Sequence, residues 1–161
     1  MSISNQFLNE LSTSDFRVLP ATEELVKKVF DNKIHAEDYV NMLKEGDTGK
    51  FVFSNKNDDY IGHIMVKVNE HKHRELSVLF IQKKYRRSGY AQFLINLYPK
   101  LQVLYTEVDN KESQRLYTKL GWVNSGIKGH FDSKNYDHIW ILFYKKKYIK
   151  IKELDVYEKG V

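Results

Sequence analysis

The hydrophobic period of this chain changes from two to 3.6 across one short basic turn, and that crossing governs what the chain can become. Glu75 to Ile81 reads as a strand with Leu76, Val78 and Phe80 facing one way. A basic turn with a glycine, Lys83 to Gly89, comes next. Ala91, Leu94, Ile95, Tyr98 and Leu101 then recur at the spacing of one buried helical face. Strand and helix thus belong to one mixed fold.

The rest of the chain continues the mixture. Phe16 to Leu19 reads as a strand that stops at Pro20, and Thr22 is placed to cap a helix carrying Leu25, Val26, Val29 and Phe30. Ala36, Tyr39, Val40 and Leu43 share a face of a second helix that ends near Gly46. Phe51 to Ser54 and Tyr60 to Val68 flank the turn-like Asn55 to Asp59. Val103 to Val108 is a further strand. It leads into a helix with Ser113, Leu116, Tyr117 and Leu120 in line and Gly121 as its stop. Trp122 to Phe131 and Tyr136 to Lys146 read as two strands joined by Asp132 to Asn135. Beyond Lys147 the tail reads as a last edge strand or a loose end. The order β-α-α-β-β-β-α-β-α-β-β predicts an α/β (α+β) fold, a mixed sheet with helices on both faces.

Length and composition limit the classes. A chain of 161 residues with no internal repeat or low-complexity linker reads as one domain, 1–161, with its core at about 15–145 and a tail at 147–161. There is no cysteine, which excludes disulfides, thiolate metal sites and a cysteine nucleophile. The first sixteen residues carry no signal-peptide pattern, and the longest apolar run, Ile139 to Tyr144, is too short to span a bilayer. A soluble, cytoplasmic protein without a membrane partner is expected. The formal net charge of +5 fits either an anionic partner or a lysine-rich surface. His71 and His73 alternate on one strand face without a third ligand at suitable spacing, so they read as surface histidines and no metal is expected. His63 and His138 read as substrate-site or core residues.

Arg86-Arg87-Ser88-Gly89-Tyr90-Ala91 sits where the strand hands over to the helix. Free N–H groups of a first helical turn, a glycine that admits close approach, and neighbouring Lys83, Lys84, Arg86 and Arg87 together suit phosphate oxygens. A solvated basic loop has the same composition. The segment resembles the acetyl-CoA signature of the GNAT superfamily of N-acetyltransferases, Arg/Gln-x-x-Gly-x-Gly/Ala, with Arg86, Gly89 and Ala91 in its fixed places. About twenty residues on, Asn110 to Trp122 resembles the family's Asn-x-x-Ala-x-x-x-Tyr-x-x-x-Gly-Phe signature, with Ser113 for Ala and Trp122 for Phe. Phe16 to Leu25 is similar to the family's opening strand and helix.

The resemblance implies a GNAT-like, largely antiparallel mixed sheet and acetyl-CoA as cosubstrate, with no metal. Backbone amides from Arg87 through Ser88, Gly89 and Tyr90 to Ala91 would hold the pyrophosphate. Leu79, Phe80 and Ile81 would pair with the pantetheine arm as an added strand would, and Asn110 and Ser113 would lie along it. Tyr117 is the implied general acid for the leaving thiolate, although on its helix it could equally be a packing residue. Glu75, eleven residues before Arg86, has the spacing of the catalytic glutamate of histone-type members; ordered water or a plain surface glutamate are the alternatives. Direct transfer to an amine in a ternary complex is expected. The acceptor could be a small amine, a protein amine or, as in GNAT toxins, a charged tRNA, which alone would make nucleic acid a partner. A non-catalytic domain that binds CoA or nucleic acid is the rival reading. A monomer or a homodimer fits equally.

Overall fold

A computed structural model describes residues 11–31, 33–131 and 138–159. The chain separates into two compact units, Met1–Lys67 with Ser77–Pro99, and Val68–Leu76 with Lys100–Val161. Strand β4 (Arg74–Ile81) begins in the second unit and ends in the first.

In the first unit, β1 (Phe16–Pro20), β2 (Thr48–Ser54), β3 (Tyr60–Val68) and β4 lie in that order. The β1–β2 and β2–β3 pairs are antiparallel, with Val18 opposite Val52 and Phe51 opposite His63. Helix α1 (Glu23–Val29) starts where the sequence predicts, because the Thr22 hydroxyl accepts the Leu25 N–H at 3.2 Å. Helix α2 (Lys33–Lys44) turns Ala36 and Val40 inward onto Val26, Phe51 and Phe53. Gly62 on β3 has no room for a side chain, since a Cβ there would overlap the Phe80 carbonyl oxygen. Helix α3 (Tyr90–Asn96) is shorter than the apolar spacing predicts. Pro99 is the reason, because it disfavours helical backbone at Tyr98.

His63 is the most buried histidine of this unit, 1% exposed. Its Nδ1 meets the Tyr60 hydroxyl and its Nε2 the Tyr39 hydroxyl at 2.9 Å, while its ring stacks on Phe51. Of its two sequence readings, core residue is the one this packing supports. Burial pushes the imidazole pKa down to about 4. The unfolded chain takes up this proton near pH 6.5, the folded chain only near 4. The neutral imidazole therefore contributes fully above pH 6.5, and that contribution drains away as pH falls toward 4. The shift corresponds to about 3 kcal/mol. Urea unfolding at pH 7 and pH 4.5 is expected to show most of that loss in the parent and a flatter dependence in His63→Asn. Equal slopes would assign the loss to other groups.

In the second unit, β4 pairs in parallel with β5 (Val103–Glu107) at Glu75–Val103 and Leu76–Leu104. β7 (Trp140–Tyr144) pairs antiparallel with β5, and β6 (Val123–Gly129) antiparallel with β7, giving the order β4-β5-β7-β6. Helix α4 (Lys111–Lys119) is capped by Asn110, whose side chain accepts the Ser113 N–H at 3.0 Å, and it ends before Gly121 at φ 91°. The mixed α/β fold with a mostly antiparallel sheet is the one expected. The Asp132–Asn135 turn lies outside the described residues.

Two readings change. The tail is neither an edge strand nor a loose end: a 3-10 turn, Ile151–Leu154, runs into helix α5 (Asp155–Lys159). Ile149, Leu154 and Tyr157 join the core cluster of Val103, Leu142 and Tyr144, and burying three such side chains contributes on the order of 5 kcal/mol before entropy. His71 and His73 do not alternate along a strand. They lie in the turn ahead of β4, and His73 is buried, 8% exposed, against Tyr157.

Candidate functional site

The basic turn keeps its place between β4 and α3. A 3-10 turn, Lys83–Tyr85, follows Gln82, whose N–H donates to the Ile61 carbonyl at 2.7 Å. Arg87 (φ 63°) and Gly89 (φ 92°) both take left-handed backbone. Such reversals turn successive N–H groups toward one concavity, which suits an anion. The second comes free only to glycine. Arg86 folds back, its Nε donating to the Ile81 carbonyl at 2.8 Å and its guanidinium 5.9 Å from the Phe80 ring. That ties the end of β4 to the turn. Lys84 is already committed, its ammonium 2.6 Å from Asp59, which also accepts from the Tyr85 hydroxyl. Tyr90 is buried against Phe16, which anchors the start of α3. Arg86 and Arg87 are exposed, and Ser88, Gly89 and Ala91 are half-buried. The segment from Gln82 to Ala91 itself carries no carboxylate, and Asp59 beside it is paired with Lys84. Along β4, Leu79 is half-buried, Phe80 exposed and Ile81 buried.

The remaining predicted residues lie in the second unit. Tyr117 sits on the inner face of α4, 8% exposed, with its ring edge-on to Trp122 at 6.2 Å and tilted to Phe143 at 6.4 Å. Burial pushes its phenol well above the ordinary tyrosine range, so it keeps its proton throughout the working pH range. Trp122 is fully enclosed; the Lys145 ammonium lies 5.2 Å from its ring, and its indole N–H has no partner among the described residues. Asn110 and Ser113 are brought together by the helix cap.

Glu75 is no surface residue. It is 6% exposed, and its carboxylate accepts from the Asn69 amide at 3.2 Å. The same amide donates to the Tyr157 hydroxyl at 2.9 Å, and that hydroxyl meets His73 Nδ1 at 2.7 Å. Sequence reasoning missed Asn69 as the partner of Glu75, and Tyr157 and His73 as the side chains linked to it through Asn69. Only the i, i+3 spacing of Leu154 and Tyr157 hinted at a helix in the tail. Among the described residues, no group of three His, Asp or Glu side chains is arranged to hold a metal ion. No helix among them is long and apolar enough to cross a membrane.

The sequence model of the Acetyltransferase (GNAT) family matches residues 7–122, well over half of the chain. The chain belongs to the GNAT acetyltransferase family. No curated protein sequence matches this GNAT chain. Its fold is similar to that of a GNAT-family acetyltransferase from Bacillus cereus, at 20% identity and TM-score 0.59, covering 81% of this chain and 96% of the other. A Bacillus anthracis acetyltransferase solved in complex with acetyl coenzyme A aligns at 23% identity and TM-score 0.52, over 62% of this chain and 61% of its own. A chimeric spermidine N-acetyltransferase built from Vibrio cholerae SpeG and hSSAT aligns at 14% identity and TM-score 0.58, over 84% and 99%. At these identities the likeness is one of fold.

Proposed function

We propose that this GNAT chain moves the acetyl group of acetyl-CoA to an amine by direct attack. The observation that carries the reading is the turn at Arg86 to Ala91. In a GNAT-family chain it presents two left-handed residues, exposed guanidinium groups and no carboxylate. The donors are N–H groups throughout, which fits a pyrophosphate. Arg87 to Ala91 would hold it through their backbone and Leu79 to Ile81 would pair with the pantetheine arm, the arm to which Asn110 and Ser113 are also assigned.

Acetyl-CoA supplies an activated acetyl thioester; the chain's residues supply binding and proton traffic. An acceptor ammonium must lose a proton before its nitrogen can attack, and Glu75 is the carboxylate assigned to take it. As the C–S bond breaks, the Tyr117 phenol gives its proton to the departing sulfur. The chain has no cysteine to carry the acetyl group, which favours one ternary complex. A spermidine acetyltransferase among the structural neighbours supports screening amines first.

The test is a melting curve with acetyl-CoA, followed by CoA release with spermidine, lysine and peptide amines. At a hundredfold over Kd, acetyl-CoA is expected to add about 2.7 kcal/mol, a rise in Tm on the order of 5 °C. A folded sample whose Tm stays put at millimolar acetyl-CoA would remove the enzyme reading.

A further inference from the structure

The Asn69 side chain is saturated. Its Oδ1 accepts the backbone N–H groups of His71 at 2.9 Å and His73 at 3.1 Å, which fixes that end of the amide as the acceptor. Its Nδ2 therefore faces Glu75 Oε1 at 3.2 Å and the Tyr157 oxygen at 2.9 Å, one N–H for each. With its oxygen accepting from Asn69, Tyr157 donates its own hydrogen to His73 Nδ1 at 2.7 Å. His73 then carries its proton on Nε2, the nitrogen 3.7 Å from Glu153. The other groups facing this pair are the His71 ring, 4.7 Å from that of Tyr157, and Glu70, 3.4 Å from His71. Burial lowers the proton affinity of His73 although Glu153 opposes it, which agrees with the neutral imidazole the chain of bonds requires.

We propose that Tyr157, on helix α5, is a positioning residue for acetyl transfer: its phenol fixes the Asn69 amide, and the amide fixes the Glu75 carboxylate. The inference rests on the reading of Glu75 as the base. Packing alone does not call for this hydroxyl. Tyr157 is 1% exposed: its ring packs with Val103, Leu142, Ile149 and Leu154, where phenylalanine would bury as much apolar surface, while its hydroxyl lies on the polar side against Asn69 and His73. What the hydroxyl adds is an acceptor that keeps the second Asn69 N–H, and with it the first, in one orientation. An N–H held on a carboxylate favours its charged form, the form that can take a proton from an ammonium.

The test is Tyr157→Phe in the full chain, with Val156→Ala on the same helix as control. The probe is the carboxyl-carbon NMR signal of Glu75, assigned by its loss in Glu75→Gln. In Tyr157→Phe the Glu75 titration is expected to move up by about half a pH unit or more. The acid limb of kcat/KM, measured with the amine turned over fastest in the screen above, is expected to move with it. KM for acetyl-CoA should stay within about twofold, and Val156→Ala should match the parent. A lower Tm with the Glu75 titration unmoved would overturn the proposal and leave Tyr157 a packing residue. Full turnover in Glu75→Gln would instead sink the base reading, whatever Tyr157→Phe does. Should Tyr157→Phe not fold, the parent still decides: the Tyr157 Cζ signal must respond as Glu75 titrates, and a flat response overturns the proposal.

Discussion

Gly89→Glu is expected to abolish the acetyl-CoA-dependent rise in Tm and to weaken acetyl-CoA binding more than a hundredfold. Two effects add. The left-handed backbone at φ 92° suits glycine, and a side chain there costs about 1–2 kcal/mol. The new carboxylate would also stand among the N–H donors assigned to a pyrophosphate, and like charges about 4 Å apart repel by roughly 4 kcal/mol in a partly exposed setting. Half of that is about thirtyfold in affinity, and the backbone cost, met again when the relaxed turn returns to this conformation on binding, carries the loss past a hundredfold. Gly89→Ala isolates the backbone effect, and its loss should be about tenfold. Isothermal titration of acetyl-CoA into all three proteins separates the effects. Binding by Gly89→Glu at parental affinity would place the pyrophosphate elsewhere.

Tyr117→Phe is expected to lower kcat by about a hundredfold or more while leaving KM for acetyl-CoA nearly unchanged. The substitution removes one oxygen and keeps the ring against Trp122 and Phe143, so packing is conserved. The buried phenol keeps its proton far into alkaline pH, so the parental rate should not fall as pH rises through the range where exposed tyrosines ionise. Steady-state CoA release across that range, for both proteins, reads out both effects. A Tyr117→Phe variant within about threefold of the parent would move the acid role to another group, because general acids contribute far more than that.

The parts of this fold legible in the sequence are those where one local signal dominates. Thr22, Asn110 and Gly121 mark helix ends through hydrogen-bonding capacity or glycine's backbone freedom, and each marks its end in the structure. The 86–91 turn is visible because glycine between a strand period and a helix period has few other uses. What the sequence hides is non-local. Glu75 reads as a strand-edge carboxylate until Asn69 and Tyr157, 88 positions apart, close around it. His73 reads as exposed because nothing near it in the chain announces the tyrosine that covers it. The tail is ambiguous because Ile149, Leu154 and Tyr157 fit neither a clean two-residue nor a long helical period. A 3-10 turn between them breaks both.

The enclosure of Trp122 makes the protein its own optical instrument. An indole shut away from water, with no hydrogen-bond partner among the described residues and an ammonium beside its ring, emits from a dry, polarised site. It also touches Tyr117. Any event that shifts that phenol or draws charge toward Lys145 is thereby converted into a change of tryptophan emission. With Trp140 replaced by Phe, a single remaining tryptophan would follow the candidate acid in stopped flow, on a timescale that turnover assays do not reach.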